Sequence, residues 1–227
     1  VTNKERAEEL KNKLISTYNI DAIKIQADVS KEEDCLRLLE ETKNHFETID
    51  CLVNNAGIAI DTTLEDKTVE NFRKILDINL IGVFLMCKHI GTYMKDVQGF
   101  GSIVNISSTN GIDSYYSYSM DYDASKAGVI SLTHNFANLY APTIRVNCIA
   151  PGWVNTEMNK ELDKEYIAKE KKKILSKIII YKNKFVNVFW QRSYHDHIIR
   201  GEKDYQKIWE YIDGNPSKWE DDCFYTK

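Results

Sequence analysis

The sequence predicts an α/β fold: an incomplete doubly wound parallel sheet with a short, mainly helical C-terminal extension. Three observations lead there. Short apolar or β-branched runs recur along the chain, stretches of helical periodicity separate them, and small or polar residues follow each run where a strand would end. Parallel neighbours need a long crossover between them, and such crossovers are right-handed. In sheets of this kind ligands bind beyond the carboxyl ends of the strands.

The elements follow in order. Ala22 to Ala27 is a first apolar-rich run, read as a strand. Ser30, with Glu33 three residues on, has the form of a capping box, and Cys35, Leu36, Leu38, Leu39 and Phe46 recur behind it at helical spacing. Ile49 to Val53 reads as a buried strand. Val69 to Lys95 reads as a long helix with Ile75, Ile78, Leu80, Phe84 and Leu85 on its apolar faces. Ser102 to Ile106 is a third strand, Tyr122 to Tyr140 a helix, and Ile144 to Ile149 a fourth strand. Asn54, Ser108 and Pro151 fall at or just past strand ends, where the ligand rule wants them.

The run Tyr122-Asp123-Ala124-Ser125-Lys126-Ala127-Gly128 carries the strongest chemical signal. A spacing of four puts both the phenol and the ammonium on one helix face. A nearby cation favours phenolate, so Tyr122 is a candidate acid or base working below its ordinary pKa of roughly 10. The same spacing also occurs on plain solvated faces, and the pair alone does not decide.

Its company narrows the choice. Upstream stand Cys51-Leu52-Val53-Asn54-Asn55-Ala56-Gly57, then Asp77-Ile78-Asn79-Leu80, then Gly101-Ser102-Ile103-Val104-Asn105-Ile106-Ser107-Ser108. Downstream comes Ile149-Ala150-Pro151-Gly152-Trp153-Val154-Asn155-Thr156. In this order the segments resemble the short-chain dehydrogenases/reductases, most closely the 3-oxoacyl-carrier-protein reductases, from Val1 to about Leu175. The resemblance implies a Rossmann-like domain and an NAD(P)(H)-dependent oxidoreductase. Such an enzyme reduces a carbonyl, a 3-oxoacyl thioester among the candidates, or oxidises an alcohol.

The resemblance also implies roles. Tyr122 protonates the substrate oxygen during reduction, and Lys126 lowers its pKa and meets the nicotinamide ribose. Ser108, in preference to Ser107, holds the carbonyl oxygen, and Asn79 organises a water that replenishes the proton. Asn54, Ala56 and Gly57 line the adenosine side of the cofactor, and Asp28 with Val29 meets the adenine. Pro151 and Gly152 form a turn leading to Thr156, which meets the carboxamide. The cofactor is NADP or NAD, with NADPH preferred. Without the resemblance, Asn79 reads as a residue satisfying buried backbone, the serines as turn caps, and Thr156 as a helix N-cap. Tyr115, Tyr116 and Tyr118 either line an entrance or cover the core.

The chain also departs from that pattern. No Gly-x-x-x-Gly-x-Gly occurs, the first glycine is Gly57, and residue 1 is Val rather than Met. The expectation is an N-terminally truncated reductase domain over residues 1–177, short of about two strands and a helix, with weakened anchoring of a pyrophosphate. Residues 178–227 hold three of the four tryptophans, Trp190, Trp209 and Trp219. Trp190 to Arg200 and Asp204 to Pro216 resemble the end of the transposases associated with repetitive extragenic palindromes, in which the tyrosine at the position of Tyr211 is the DNA nucleophile. His195-Asp196-His197 imitates a metal-binding spacing but lacks the apolar middle residue, so no metal site is expected. The alternative function is a catalytically inactive chimera, or a single-stranded DNA binder acting through this tail.

Bulk properties set limits. A net charge of -4 offers no general attraction to nucleic acid or to an anionic membrane. Charges after Tyr181 are balanced, and Lys169 to Lys177 reads as a solvated helix face. The five cysteines are odd in number and show no Cys-x-x-Cys, which favours a reducing cytoplasm. No signal peptide and no membrane-spanning run are read. The expected partners are a small carbonyl or alcohol, carrier-protein-linked forms among the candidates, and a second copy of the chain in a homo-oligomer.

Overall fold

The protein is described by a computed structural model over residues 4–113 and 116–152. Nearly all of these belong to one compact unit, Val1–Ala150, and Pro151 opens a second. The expected boundary at residue 177, Thr156, Tyr115 and the tail residues His195, His197 and Tyr211 lie outside the described residues.

The elements are α1 (Lys4–Tyr18), α2 (Glu32–His45), β1 (Cys51–Asn54), α3 (Val69–Gln98), β2 (Gly101–Ile106), α4 (Met120–Tyr140) and β3 (Ile144–Ile149). The three strands lie in the order β1-β2-β3, all parallel, with Leu52 beside Ile103 and Ile103 beside Val146. That row, with Ile144, is buried, and α4 packs against both β2 and β3. The helix-facing side of the sheet is therefore the core, filled from α3 by Ile75, Met94 and Ile90 and from α4 by Val129 and Ala137. Parallel strands joined through long helices are the α/β architecture that the periodicity predicts.

Two local expectations are corrected. Ala22 to Ala27 pairs with no strand; it is an irregular segment pinned by side chains, with the Arg37 guanidinium donating to the Gln26 carbonyl at 2.6 Å and His45 meeting Asp21 at 2.6 Å. A strand needs a ladder partner, and none lies beside this run among the described residues. The capping box at Ser30 and Glu33 does not form either. Lys31 is the N-cap of α2 and makes no side-chain cap. The Asp28 carboxylate instead accepts both the amide (3.1 Å) and hydroxyl (2.7 Å) of Ser30, while the Asp28 amide donates to Asp34 at 2.7 Å.

A third correction concerns α3. Its 30 residues contain a window with mean hydropathy 1.4, long and apolar enough to span a bilayer, although no such run was expected. Half of that window is buried inside the fold, as the helix supplies part of the core. Thr68 caps its start by accepting from the Asn71 amide at 3.1 Å. Three of its turns, Asp77–Ile81, Cys87–Gly91 and Met94–Gln98, are wide turns of the π type.

Under the sheet runs one buried polar chain. Asn54 Nδ2 donates to Asn105 Oδ1 at 2.8 Å, Asn105 Nδ2 donates to Thr133 Oγ1 at 2.9 Å, and Thr133 donates to the Val129 carbonyl at 2.8 Å. Each link satisfies a group that would be costly to bury alone. The chain ties the ends of β1 and β2 to α4 and so fixes the rim on which the site stands.

Candidate active site

The site is built where β1 and β2 end and α4 begins. Beyond β2 the chain carries two hydroxyls into the turn Thr109–Gly111. Ser107 is committed to structure: its hydroxyl donates to the Lys126 carbonyl at 2.7 Å. Ser108 accepts from the Asn110 amide at 3.2 Å, and its hydroxyl lies close enough to the phenol of Tyr122 to lower that group's pKa. The turn can lie flush on α4 because residue 111 is glycine; a Cβ there would stand 2.6 Å from the Lys126 carbonyl carbon.

Tyr122 and Lys126 lie one turn apart on α4, with the ammonium 5.6 Å from the centre of the phenol ring. Lys126 is buried and donates to the Ile106 carbonyl at the end of β2, at 2.8 Å. Burial pushes the Tyr122 phenol above its ordinary value, while the nearby Ser108 hydroxyl pulls it down and Asp123 pushes it further up. Burial also pushes the Lys126 ammonium down. The helix spacing alone led to the opposite expectation for Tyr122. Desolvation disfavours both charged forms, and here the ammonium is directed at a backbone carbonyl rather than at the phenol oxygen.

Asn79 sits in the first wide turn of α3 and is fully buried. Its Oδ1 accepts from the Ile58 amide at 2.8 Å, and its Nδ2 donates to the Ile58 carbonyl at 2.9 Å and to Ser125 Oγ at 3.2 Å. Ser125 in turn donates to the Tyr122 carbonyl at 2.6 Å. Gly57 borders the same space: a Cβ there would lie 3.3 Å from Asn79 Oδ1 and 3.6 Å from Lys126 Nζ. Asn79, Ser108, Tyr122, Lys126 and Gly57 are thus brought together at the carboxyl ends of parallel strands.

Other predicted residues stand apart. The Asn54 side chain is buried in the polar chain under the sheet, beside the Cys87 thiol at 3.3 Å. Ala56 is exposed just beyond the strand end. Asp28 is exposed before α2, its carboxyl held below the usual range by Ser30, and Val29 follows half-buried. Pro151 and Gly152 follow β3 in sequence. A groove of about 360 Å³, lined by Leu64, Phe72, Arg73 and Met120 among others, includes none of the four predicted catalytic residues. The sequence reading missed Ser125 and Asp121, both inside the same helical turn as Tyr122, and Lys67, which lies 54 positions from its partner. Ser125 could have been found from its place one residue before Lys126 on the site-facing helix.

A family model described as short chain dehydrogenase matches residues 1–167. The chain belongs to the short-chain dehydrogenase family. Among its relatives is a 3beta-hydroxysteroid dehydrogenase 1 of Eggerthella lenta, 41% identical over 141 residues, covering 62% of this chain and 54% of that protein. A 3-oxoacyl-[acyl-carrier-protein] reductase of Synechocystis is 38% identical over 148 residues, covering 65% and 59%. Glucose 1-dehydrogenase 2 of Bacillus subtilis is 36% identical over 146 residues, covering 63% and 56%. The chain therefore spans between 54% and 59% of the length of these curated relatives. Among solved structures, levodione reductase superposes with a TM-score of 0.65 at 35% identity, over 69% of this chain and 61% of that one. A short chain dehydrogenase from Mycobacterium smegmatis gives 0.62 at 28% identity, over 66% and 62%.

Proposed function

We propose that this chain is the catalytic part of an NAD(P)(H)-dependent oxidoreductase that reduces a carbonyl, or oxidises the matching alcohol, with Tyr122 as acid and base. The observation that carries this reading is the convergence of the Tyr122 phenol and the Ser108 hydroxyl with the buried Lys126 ammonium at the end of β2, the ammonium 5.6 Å from the centre of the phenol ring. Gly57, Asn79 Oδ1 and Lys126 Nζ approach closely beyond the end of β1, a Cβ at Gly57 standing 3.3 Å and 3.6 Å from the other two, and the family resemblance puts the nicotinamide ribose at this Lys126. When bound, the cofactor supplies the hydride; the protein supplies orientation and a proton. Lys126 would hold the ribose, Asp28 and Val29 the adenine, and Ala56, Gly57 and the backbone of Asn54 the segment between. Thr156, after the Pro151-Gly152 turn, would meet the carboxamide. NADPH is the first nucleotide to test and NADH the second.

In the reduction, Ser108 Oγ donates a hydrogen bond to the substrate carbonyl oxygen, and Tyr122 Oη transfers its proton there as negative charge builds up. Tyr122 carries its proton at neutral pH as an ordinary phenol does, and burial makes it a weaker acid in the ligand-free chain. A water organised by Asn79 would replenish the proton of the phenolate. The relatives' names span a steroid, an acyl thioester and a sugar, which share an alcohol/carbonyl carbon. A carrier-protein-linked 3-oxoacyl group is accordingly one substrate class to screen, and the setting proposed with it is a cytoplasmic homo-oligomer.

The test is a calorimetric titration with NADPH and then NADH, followed by turnover of a carbonyl panel by the parent chain and Tyr122→Phe. Saturable binding and turnover that drops about 100-fold or more in Tyr122→Phe support the reading. Turnover that survives the substitution removes Tyr122 as the acid.

A further inference from the structure

One pair of charges in the core is not used by the chemistry above. Lys67, at the end of the loop that leaves β1, has a side chain only 4% exposed, and Asp121, in the first turn of α4, is 0% exposed. Lys67 Nζ donates to Asp121 Oδ1 at 3.0 Å, to Oδ2 at 2.9 Å and to the Ile60 carbonyl at 3.2 Å, using all three of its protons. Asp121 Oδ1 also accepts the backbone N–H of Tyr122 at 3.0 Å. Burying an ion pair adds little stability over apolar residues of the same shape, so stability alone is a weak reason for its presence.

We infer that Lys67 and Asp121 are positioning residues that hold the Tyr122 peptide in register with Ser108. The inference rests on the reading of Tyr122 as the acid. The Tyr122 peptide is gripped at both ends, its N–H by Asp121 and its carbonyl by Ser125. Both grips lead back to one loop. Ser125 is held by Asn79, which clamps both backbone groups of Ile58. Asp121 is held by Lys67, which clamps Ile60 two residues further on. A third tie joins the Thr62 amide to the Tyr118 carbonyl at 3.2 Å. Loop and helix therefore form a closed ring of hydrogen bonds around the site, and displacing the loop displaces the phenol from Ser108.

The experiment uses the full chain with tyrosines carbon-13-labelled at Cζ, the Tyr122 resonance being assigned by its loss in Tyr122→Phe. Its titration is followed from about pH 7 to about pH 11 in the parent, in Lys67→Met/Asp121→Ala, and in Asp121→Glu. The double variant leaves no charge buried alone. Asp121→Glu keeps the ion pair while moving the carboxylate off the Tyr122 amide, and it stands in if the double variant does not fold. The nearby Ser108 hydroxyl lowers the Tyr122 titration, so moving the two apart raises it, and an upward shift of about half a unit or more in either variant is expected. With an active substrate, kcat falls about 10- to 100-fold while KM moves less than about 3-fold. Lys67→Arg, which keeps the pair, retains both readouts. Variants with lower melting temperatures but an unchanged Tyr122 titration would show a purely structural pair and overturn the inference. A shifted titration in a parent chain without turnover supports the positioning role while rejecting the oxidoreductase reading.

Discussion

Gly111→Ala tests how closely the Ser108 turn must lie on α4. The added methyl would stand 2.6 Å from the Lys126 carbonyl carbon, 2.7 Å from the Ala127 nitrogen and 2.8 Å from the Lys126 oxygen. All three are backbone atoms of a helix and cannot rotate away. Against an ordinary carbon contact of about 3.5 Å the shortfall is about 0.9 Å, which the turn meets by lifting off the helix. Overpacking of this kind costs about 1–3 kcal/mol. A displacement near 1 Å between Ser108 and Tyr122 corresponds to as much as about a 100-fold loss of rate. Gly99→Ala is the control. Gly99 has a φ of 83° with open space around it, so alanine costs about 1–2 kcal/mol there through backbone strain alone. It lies before β2, at the opposite end of the sheet from Ser108. Urea unfolding followed by circular dichroism gives the stability loss, and steady-state turnover gives the rate. Comparable stability losses with a rate loss confined to Gly111→Ala are expected. If both variants lose rate in proportion to stability, or if Gly111→Ala turns over within about 2-fold of the parent, the close-contact argument fails.

Three further outcomes follow from the geometry. The folded chain holds the Tyr122 proton more tightly than the unfolded chain, so this group's contribution to stability is full below about pH 10 and is lost as pH rises through the folded value; Tyr122→Phe should flatten that alkaline decline in urea unfolding. Thr133→Val leaves one donor of Asn105 buried without an acceptor and should cost about 1–3 kcal/mol by the same assay. The Cys87 thiol, pushed up to about 12 by burial, should resist iodoacetamide in the native chain at pH 8 and react in urea, as read by peptide mass mapping.

What the sequence could and could not reveal divides along one physical line. Period and breaker residues specify an element whenever the element buries its own face, and those elements were legible: Ile144 to Ile149 coincides with β3, Ser102 to Ile106 falls within β2, and α3 begins at Val69 as read. Ala22 to Ala27 fails for the complementary reason, because extended backbone becomes a strand only when another chain segment offers a ladder, and a run of apolar residues carries no record of its neighbour. The same asymmetry holds at the site. Tyr122, Lys126 and Ser125 share one helix, so their proximity is implied by spacing alone. The Lys67–Asp121 pair joins positions 54 residues apart, and each residue alone reads as an ordinary surface charge. The direction of the Tyr122 shift was misread on the same account: spacing reports that a cation is near, whereas burial and the competing Ile106 carbonyl are tertiary facts that decide which effect wins. Ser107 and Ser108 show how little is then needed. One hydrogen bond to the Lys126 carbonyl commits Ser107 to holding the helix and leaves Ser108 beside the phenol, a difference between adjacent identical residues that spacing alone does not carry and that the sequence offers only through the family resemblance.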